Sequence, residues 1–159
     1  MRAIFFAVFV LLFVGCSKSS SPSEEQDREM IAGQLHEIEA MVNEGHAAEK
    51  SSSLYLNYFA VDPNVLPYGS QLLSGKAEVL DFYTKVFSIG TVVSNSYTEP
   101  TIEVAGEFAI RTYEGTAQIQ LSESNDLISF TNVYTDVLVS ENGEWKILWH
   151  SWVPAPAKE

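Results

Sequence analysis

The second half of the chain consists largely of strand-forming residues, and no other feature constrains the fold as much. Four runs rich in Val, Ile, Thr and aromatic residues follow Thr91: Val92 to Val104, Glu107 to Leu121, Leu127 to Ser140 and Glu144 to Val153. Such residues suit a pleated, half-buried surface. The separators Ala105-Gly106, Ser122 to Asp126 and Glu141-Asn142-Gly143 are typical of hairpin turns. We predict a four-stranded antiparallel meander, with Pro100 at a bulge or a sheet edge.

Helical patterns precede Thr91. Acidic residues from Glu24 favour a helix start, and the helix ends near Gly45, with an apolar stripe at Ile31, Leu35, Ile38 and Val42. A second helix is predicted from Ala47 to about Phe59, stopped by Asp62-Pro63, and a third is capped by Ser74 and ends at Gly90. Helices followed by antiparallel strands predict an α+β domain in which a curved sheet wraps around the helices.

The N-terminus carries the pattern of a secretory signal. Arg2 precedes an uninterrupted apolar run from Ala3 to Val14. This run is shorter than the roughly twenty residues that cross a bilayer as a helix. Phe13-Val14-Gly15-Cys16 resembles the lipobox of bacterial lipoproteins, which implies cleavage before Cys16 and lipid on it. An ordinary secretory signal is the alternative.

This pattern divides the chain and predicts its location. Residues 1–15 are the signal, 16–23 the lipidated cysteine and a flexible tether, 24–154 the domain and 155–159 a tail. We expect a protein of the bacterial cell envelope that faces the periplasm or the cell exterior. Twenty-one acidic residues against nine basic ones, a formal charge of −12, argue against non-specific nucleic-acid binding. We expect no cofactor and no metal, since His36, Glu37 and Glu39 are interpreted as a polar helix face.

Two segments resemble the ketosteroid-isomerase and SnoaL-like proteins. The stretch from Leu66 to Tyr83 looks like their "P-x-G … G-x-x-x-I-x-x-F-Y" segment, and the stretch from Tyr134 to Trp152 resembles their last hairpin. The resemblance implies the cone-shaped fold of nuclear transport factor 2, with a pocket between sheet and helices. It also implies a homodimer that forms through the sheet.

The isomerase machinery is mostly missing. The resemblance places the catalytic base at Leu66 and the oxyanion tyrosine at Ile38, and neither side chain can do this chemistry. Asp136 aligns with the third member, an aspartate. Ketosteroid isomerase activity is therefore not expected. The superfamily contains both enzymes and binding proteins, so the fold alone does not give the function.

The last hairpin provides the candidate site. With a three-residue connection, Ser140 faces Glu144, and one sheet face holds Asn132, Tyr134, Asp136, Leu148, His150 and Trp152. On that register Asp136 and His150 are diagonal neighbours, and they form either a general base or a structural polar pair. A two-residue Asn142-Gly143 turn would slip the register by one and separate them. The opposite face includes Trp145, Ile147 and Trp149, and the two tryptophans suit a dimer interface.

Other residues complete the expected site. Tyr58, Leu66 and Phe82 are further candidates for lining a pocket, and Arg111 is interpreted as a partner of Glu114. Three functions remain open. The first is a lipoprotein that binds a small, partly apolar ligand without transforming it. The second is a module that docks another envelope protein through its sheet. The third is an acid–base enzyme of isomerase or hydratase type built on Asp136 and His150.

Overall fold

The fold is that of a computed structural model, which describes residues 22–156. Three helices are interleaved with seven strands, in the order α1 Pro22–Asn43, α2 Ala48–Leu56, β1 Phe59–Leu66, β2 Leu73–Ser74, α3 Lys76–Ser88, β3 Gly90–Tyr97, β4 Thr101–Ala105, β5 Phe108–Leu121, β6 Leu127–Glu141 and β7 Glu144–Pro154. The signal, Cys16 and the end of the predicted tail lie outside the described residues. No helix in the described part is long and apolar enough to cross a membrane.

Within residues 22–156, the strands form one mixed sheet in the order β2-β1-β7-β6-β5-β3, and β4 pairs with β5 beside β3. The last three strands form the predicted meander, with long antiparallel ladders from β5 to β6 and from β6 to β7. The remainder differs from the prediction because β1 adds to β7 in parallel. The α+β class with helices packed on a curved sheet is confirmed.

The sequence predicts a short strand or extended link at Val65 to Tyr68, whereas β1 begins earlier, at Phe59, and ends at Leu66. Asp62-Pro63 does not stop a helix that reaches Phe59, since α2 ends at Leu56 and both residues lie inside β1. The pairing of β1 with β7 is irregular between Phe59 and Asn64. Pro63, which has no N–H to donate, lies in this irregular part and therefore does not interrupt a regular ladder.

Three other boundaries also differ from the sequence prediction. The first helix already includes Pro22 and Ser23, which were assigned to the tether. Gly75, not Ser74, precedes α3, and it has a φ of 79° that favours glycine. The predicted strand Val92 to Val104 is two strands, β3 and β4, which are separated at the break that contains Pro100.

The core lies between α1 and the concave face of the sheet. The predicted stripe on α1 is buried at Ile31, Leu35 and Ile38, each at most 1% exposed. These side chains pack in the same core as Phe59, Leu138 and Ile147.

Polar side chains of α1 also bind the edge strand β3. Asn43 donates from Nδ2 to the carbonyl of Asn95 at 2.8 Å and accepts the Asn95 N–H at 2.7 Å. Glu39 accepts the N–H of Tyr97 at 3.0 Å. The edge of the sheet is therefore covered, and β3 is held against the helices.

Candidate functional site

A row of three polar side chains crosses the concave face of the sheet. Arg111 on β5 lies directly opposite Asp136 on β6, and Asp136 lies directly opposite His150 on β7. Their exposed fractions are 0%, 0% and 2%. Charged groups at such depth need partners, because burying an unpaired charge is very costly.

The register that builds this row differs from the predicted one in two places. The turn has two residues, Asn142 and Gly143, whose φ values of 55° and 83° suit a tight hairpin turn. The three-residue connection is therefore wrong. A bulge at Leu148 then shifts the ladder by one residue, because Leu138 pairs with Ile147 and Val137 pairs with Trp149. The turn and the bulge together bring Asp136 directly opposite His150.

The bulge also changes which residues share a face. Trp145 and Ile147 lie on the inner face, at 6% and 0% exposure, and not on the outer face as predicted. The indole Nε1 of Trp145 donates to Asp27 on α1 at 3.1 Å. Leu148 is the extra residue of the bulge, and alternation leaves Trp149 on the outer face.

Asp136 accepts hydrogen bonds on both carboxylate oxygens. Its Oδ1 lies 2.5 Å from Nδ1 of His150, and its Oδ2 accepts from Nε and Nη2 of Arg111 at 2.9 and 2.6 Å. Arg111 also donates from Nη1 to the Ile31 carbonyl at 3.0 Å and to Gln34 Oε1 at 3.1 Å. The whole network is thus tied to α1.

The predicted pairing of Arg111 with Glu114 is wrong. The two residues are three positions apart on β5, so they point to opposite faces of the sheet. Arg111 belongs to the buried face, and its partner is Asp136.

The row orients the ring of His150 and determines which of its nitrogens faces Asp136. Burial by itself raises the pKa of Asp136, but the neighbouring Arg111 guanidinium and His150 lower it, and the pKa ends below its usual value. The ionised carboxylate only accepts hydrogen bonds, so Nδ1 of His150 is the nitrogen that donates. In the neutral ring Nε2 then carries the free lone pair. No described residue forms a hydrogen bond with Nε2.

A cavity of about 190 Å³ lies between this face of the sheet and the helices α2 and α3. His150 is part of its wall. Eight of its seventeen lining residues are aromatic: Tyr55, Phe82, Tyr83, Phe87, Tyr97, Phe130, Tyr134 and Trp152. The imidazole ring stacks on Tyr134 with centroids 5.6 Å apart and contacts Trp152 at 5.2 Å. The arrangement is a mainly apolar cavity with one imidazole in its wall, which Asp136 holds in a fixed orientation.

Two residues that line the cavity each have one buried polar atom that forms no hydrogen bond of regular geometry within the described residues. They are the hydroxyl of Tyr83 and Nδ2 of Asn95. Their residues are 7% and 8% exposed. Burial raises the pKa of Tyr83 well above its usual value, so this hydroxyl stays neutral. Neither atom has surface that a molecule in the cavity could touch. The Tyr55 hydroxyl lies near enough to Tyr83 to oppose the rise of its pKa, and Asn95 has the same effect on the pKa of Tyr97.

The structure brings some of the predicted site residues together and separates others. Phe82, Asn132, Tyr134, His150 and Trp152 line the cavity. Asp136 lies behind His150 and is fully buried. The remaining candidates Tyr58, Leu66 and Leu148 do not line it: Tyr58 borders a surface groove beside α1, and Leu66 borders one beside Pro67 to Ser70. Cys16 lies outside the described residues.

Sequence reasoning missed Arg111 and Asn95 as parts of the site. The alternation along β5 contained a signal for the first. Ala109, Arg111 and Tyr113 are all buried at a period of two, so an arginine falls on the core face. A charge at such a position requires a buried partner. No comparable pattern marks Asn95, because the bulge in β3 shifts its face.

Comparisons with known proteins agree with this architecture. Comparison with curated proteins finds no match. Among solved structures, a nuclear transport factor 2-like superfamily protein from Salmonella enterica serovar Typhimurium LT2 aligns with a TM-score of 0.69 at 15% identity, over 85% of this chain and 94% of that one.

Two further structures share the fold. The hexachlorocyclohexane dehydrochlorinase LinA-type3 from Novosphingobium barchaimii LL02 aligns with a TM-score of 0.69 at 16% identity, over 84% of this chain and 89% of that one. A nuclear transport factor 2-like protein with a cystatin-like fold from Novosphingobium aromaticivorans aligns with a TM-score of 0.62 at 15% identity, over 86% of each. These low identities show the fold alone.

The family itself is shown by a match along the sequence. The model of the SnoaL-like domain matches residues 38–156, which span α1 from Ile38 to the end of β7. The resemblance of the helical segment and the last hairpin to SnoaL-like proteins is confirmed by this match and by the fold neighbours. The chain therefore belongs to the SnoaL-like domain family.

Proposed function

We propose that this protein is a lipid-anchored envelope protein whose SnoaL-like domain binds a small, partly apolar ligand without transforming it. The observation that carries the proposal is the cavity of about 190 Å³, whose wall combines aromatic side chains with the imidazole of His150. An engineered apolar cavity of similar size holds a benzene molecule. A domain that only docks a protein through its sheet has no need of such a cavity, so the cavity favours ligand binding.

Native mass spectrometry of the chain from Ser17 onward tests ligand binding. This chain keeps every described residue of the fold. The expected spectrum shows a discrete added mass that disappears on denaturation. Ala117→Leu is the comparison variant in which the cavity is partly filled, because Ala117 lines the cavity and leucine is larger. The variant is expected to lose the added mass while its circular dichroism stays unchanged. An empty wild-type protein that also retains no molecule from envelope extracts would favour the docking function.

The anchor is supported by the sequence Phe13-Val14-Gly15-Cys16 at the end of an apolar run. Lipid chains on Cys16 would hold the domain at a membrane, since each buried CH₂ is worth about 0.8 kcal/mol. Labelling of cells with palmitate tests this. The wild-type chain is expected to incorporate label and to sediment with membranes. Cys16→Ala is expected to lose both properties. If this variant still incorporates palmitate, the proposed lipid anchor on Cys16 is contradicted.

A homodimer through the outer face of the sheet is the expected assembly. Phe108 and Ile110 on β5 are each 49% exposed, and Ile110 pairs with Val137, which pairs with Trp149. This apolar strip crosses three strands, as a sheet-to-sheet contact needs. Analytical ultracentrifugation is expected to show a dimer for the wild type and a monomer for Ile110→Asp. Val93→Asp changes an exposed residue on β3 and is expected to leave the dimer intact.

Acid–base catalysis is the second candidate, and one observation favours it. Asp136 orients His150 through its Nδ1. The side chain of His150 lines the cavity, and its other ring nitrogen, Nε2, forms no hydrogen bond with a described residue. A base held in this way can take a proton from a carbon next to a carbonyl, with the electron pair passing to the carbonyl oxygen. Exchange of such protons into heavy water, followed by NMR, tests the candidate. His150→Gln is expected to abolish exchange but to leave ligand binding measurable.

A further inference from the structure

The cavity wall presents a ring nitrogen that is both unpartnered and accessible. This atom is Nε2 of His150, which forms no hydrogen bond with a described residue. Unlike the Tyr83 hydroxyl and Nδ2 of Asn95, it retains accessible surface. His150 is otherwise buried and lines the cavity, so this surface faces the cavity. A molecule in the cavity can therefore reach Nε2.

The buried row determines what this nitrogen can bind. The carboxylate of Asp136 accepts two hydrogen bonds from Arg111, and Nδ1 of His150 donates to its other oxygen. The guanidinium already balances the single carboxylate charge, so a protonated imidazole would leave a net positive charge buried. The ring is therefore neutral, and Nε2 is a hydrogen-bond acceptor. The ligand has to bring the hydrogen.

The imidazole is also held in place by its neighbours. Its ring stacks on Tyr134 with 5.6 Å between centroids and 21° between planes. It meets Phe59 edge to face, with 6.2 Å between centroids and 84° between planes. Together with the hydrogen bond to Asp136, these contacts keep Nε2 directed at the cavity. An acceptor that is already oriented costs little further entropy when a ligand binds.

The rest of the wall disfavours a charged donor. None of the lining residues is Asp, Glu, Lys or Arg. An ammonium group would lose its hydration without gaining a counter-ion, because Asp136 is already paired with Arg111. An anion meets the same penalty, and the net charge of −12 disfavours it further. A hydroxyl group is a donor that stays neutral at neutral pH.

We propose that the cavity binds a neutral alcohol, a mainly apolar molecule whose hydroxyl group donates a hydrogen bond to Nε2 of His150. This proposal rests on the proposed ligand-binding function and names the class of molecule for that site. In this role His150 accepts a hydrogen bond and takes no proton. The aromatic and aliphatic side chains of the wall contact the apolar body of the ligand.

Four small probes that share a phenyl ring test the proposal. Benzyl alcohol carries the donor, benzaldehyde has only an acceptor, ethylbenzene has a methyl group in place of the hydroxyl, and benzoate carries a charge. Their affinities for the chain from Ser17 onward are measured by calorimetry at neutral pH. We expect benzyl alcohol to bind about fivefold more tightly than ethylbenzene, since one neutral hydrogen bond is worth roughly that factor. Benzaldehyde and benzoate are expected to bind more weakly than benzyl alcohol.

Nitrogen-15 NMR of the histidine rings gives a second readout that needs no variant. In the ligand-free protein, His150 is expected to carry its hydrogen on Nδ1 and none on Nε2. Benzyl alcohol is expected to shift the Nε2 resonance, and ethylbenzene is expected to leave it nearly unchanged. A ligand-free ring with hydrogen on Nε2, or an Nε2 resonance that does not respond to benzyl alcohol at saturation, would contradict the proposal.

A variant connects the preference to the residue. His150→Phe removes the acceptor and keeps an aromatic ring, so it is expected to bind benzyl alcohol and ethylbenzene equally. His36→Phe is the matched control, because His36 is exposed on α1 and lies outside the cavity wall. It is expected to keep the fivefold preference. A preference that survives in His150→Phe would overturn the proposal, and if this variant does not fold, the NMR measurement on the wild type decides.

The outcomes separate this proposal from the function on which it rests. Equal binding of benzyl alcohol and ethylbenzene, or tighter binding of benzaldehyde or benzoate, would overturn the alcohol class and leave ligand binding intact. No binding of any probe, together with a retained molecule that lacks a hydroxyl group, would also overturn only the class. No binding of any probe and an empty native spectrum would overturn both.

Discussion

Asp136 and His150 lie directly opposite each other on β6 and β7, with 2.5 Å between Oδ1 and Nδ1. Their pairing depends on the extra residue Leu148, which shifts the ladder between the tight turn at Asn142-Gly143 and the buried row. A regular ladder from the same turn would place Trp149 opposite Asp136. The bulge therefore puts the imidazole, and not an indole, beside the carboxylate and in the wall of the cavity.

Asp136→Asn should be strongly destabilising. The substitution removes the counter-ion of Arg111, whose guanidinium is fully buried, and the loss of one partner of a buried ion pair costs about 3–5 kcal/mol. Urea unfolding measures the loss. The matched control is Asp81→Asn, which breaks the exposed pair with Lys85 and should cost less than about 1 kcal/mol. Equal losses in the two variants would show that Arg111 does not depend on Asp136.

The stability of the domain should fall in acid because of Asp136. Its pKa in the folded chain lies below the ordinary value of 3.8, so the unfolded chain binds a proton more readily. The contribution is present above pH 3.8 and is lost as the pH falls through the folded-state pKa. The free energy of unfolding is measured from neutral pH into this range. The double variant Arg111→Met/Asp136→Leu keeps the site packed without the carboxylate and should show a shallower loss.

The buried tyrosines should make the domain sensitive to alkali. Burial raises the pKa values of Tyr55, Tyr83, Tyr97 and Tyr113 above the ordinary value of 10.0. Above that pH the unfolded chain loses protons that the folded chain retains, so stability falls as the pH rises. Tyrosinate absorbance follows the titration. The folded protein is expected to lag behind the urea-unfolded protein until it unfolds, and coincident curves would contradict the burial of these hydroxyls.

Gly115→Ala should displace two aromatic rings that line the cavity. A Cβ at this position would lie 2.8 Å from the rings of Tyr97 and Tyr134, and both rings line the cavity. Overpacking of this kind costs about 1–3 kcal/mol, and displaced rings should weaken ligand binding. Gly33→Ala in α1 is the control, since nothing lies within 4 Å of its Cβ. The helix should gain roughly 0.5–1 kcal/mol, measured by thermal unfolding.

The local sequence determined a large part of this protein. Apolar spacing along α1 predicted a buried face, which the 0–1% exposure of Ile31, Leu35 and Ile38 confirms. Period-two alternation along β6 predicted that Asn132, Tyr134 and Asp136 share one face, whereas on β7 the bulge at Leu148 breaks the predicted alternation. Both patterns depend on the geometry of a single element, so they can be read along the chain. The family could also be recognised, because its motifs keep their order.

The tertiary structure alone decided how the site is assembled. The two-residue turn and the bulge at Leu148 each shift the register by one residue, and their sum depends on packing across β6 and β7. Arg111 meets Asp136 across strands, and Gln34 and Ile31 complete its hydrogen bonds from a helix 77 or more residues away in sequence. Such contacts are selected by the cost of leaving a buried charge unpaired. That cost depends on which groups the complete fold removes from water. This is a property of the tertiary structure and cannot be read from the local sequence.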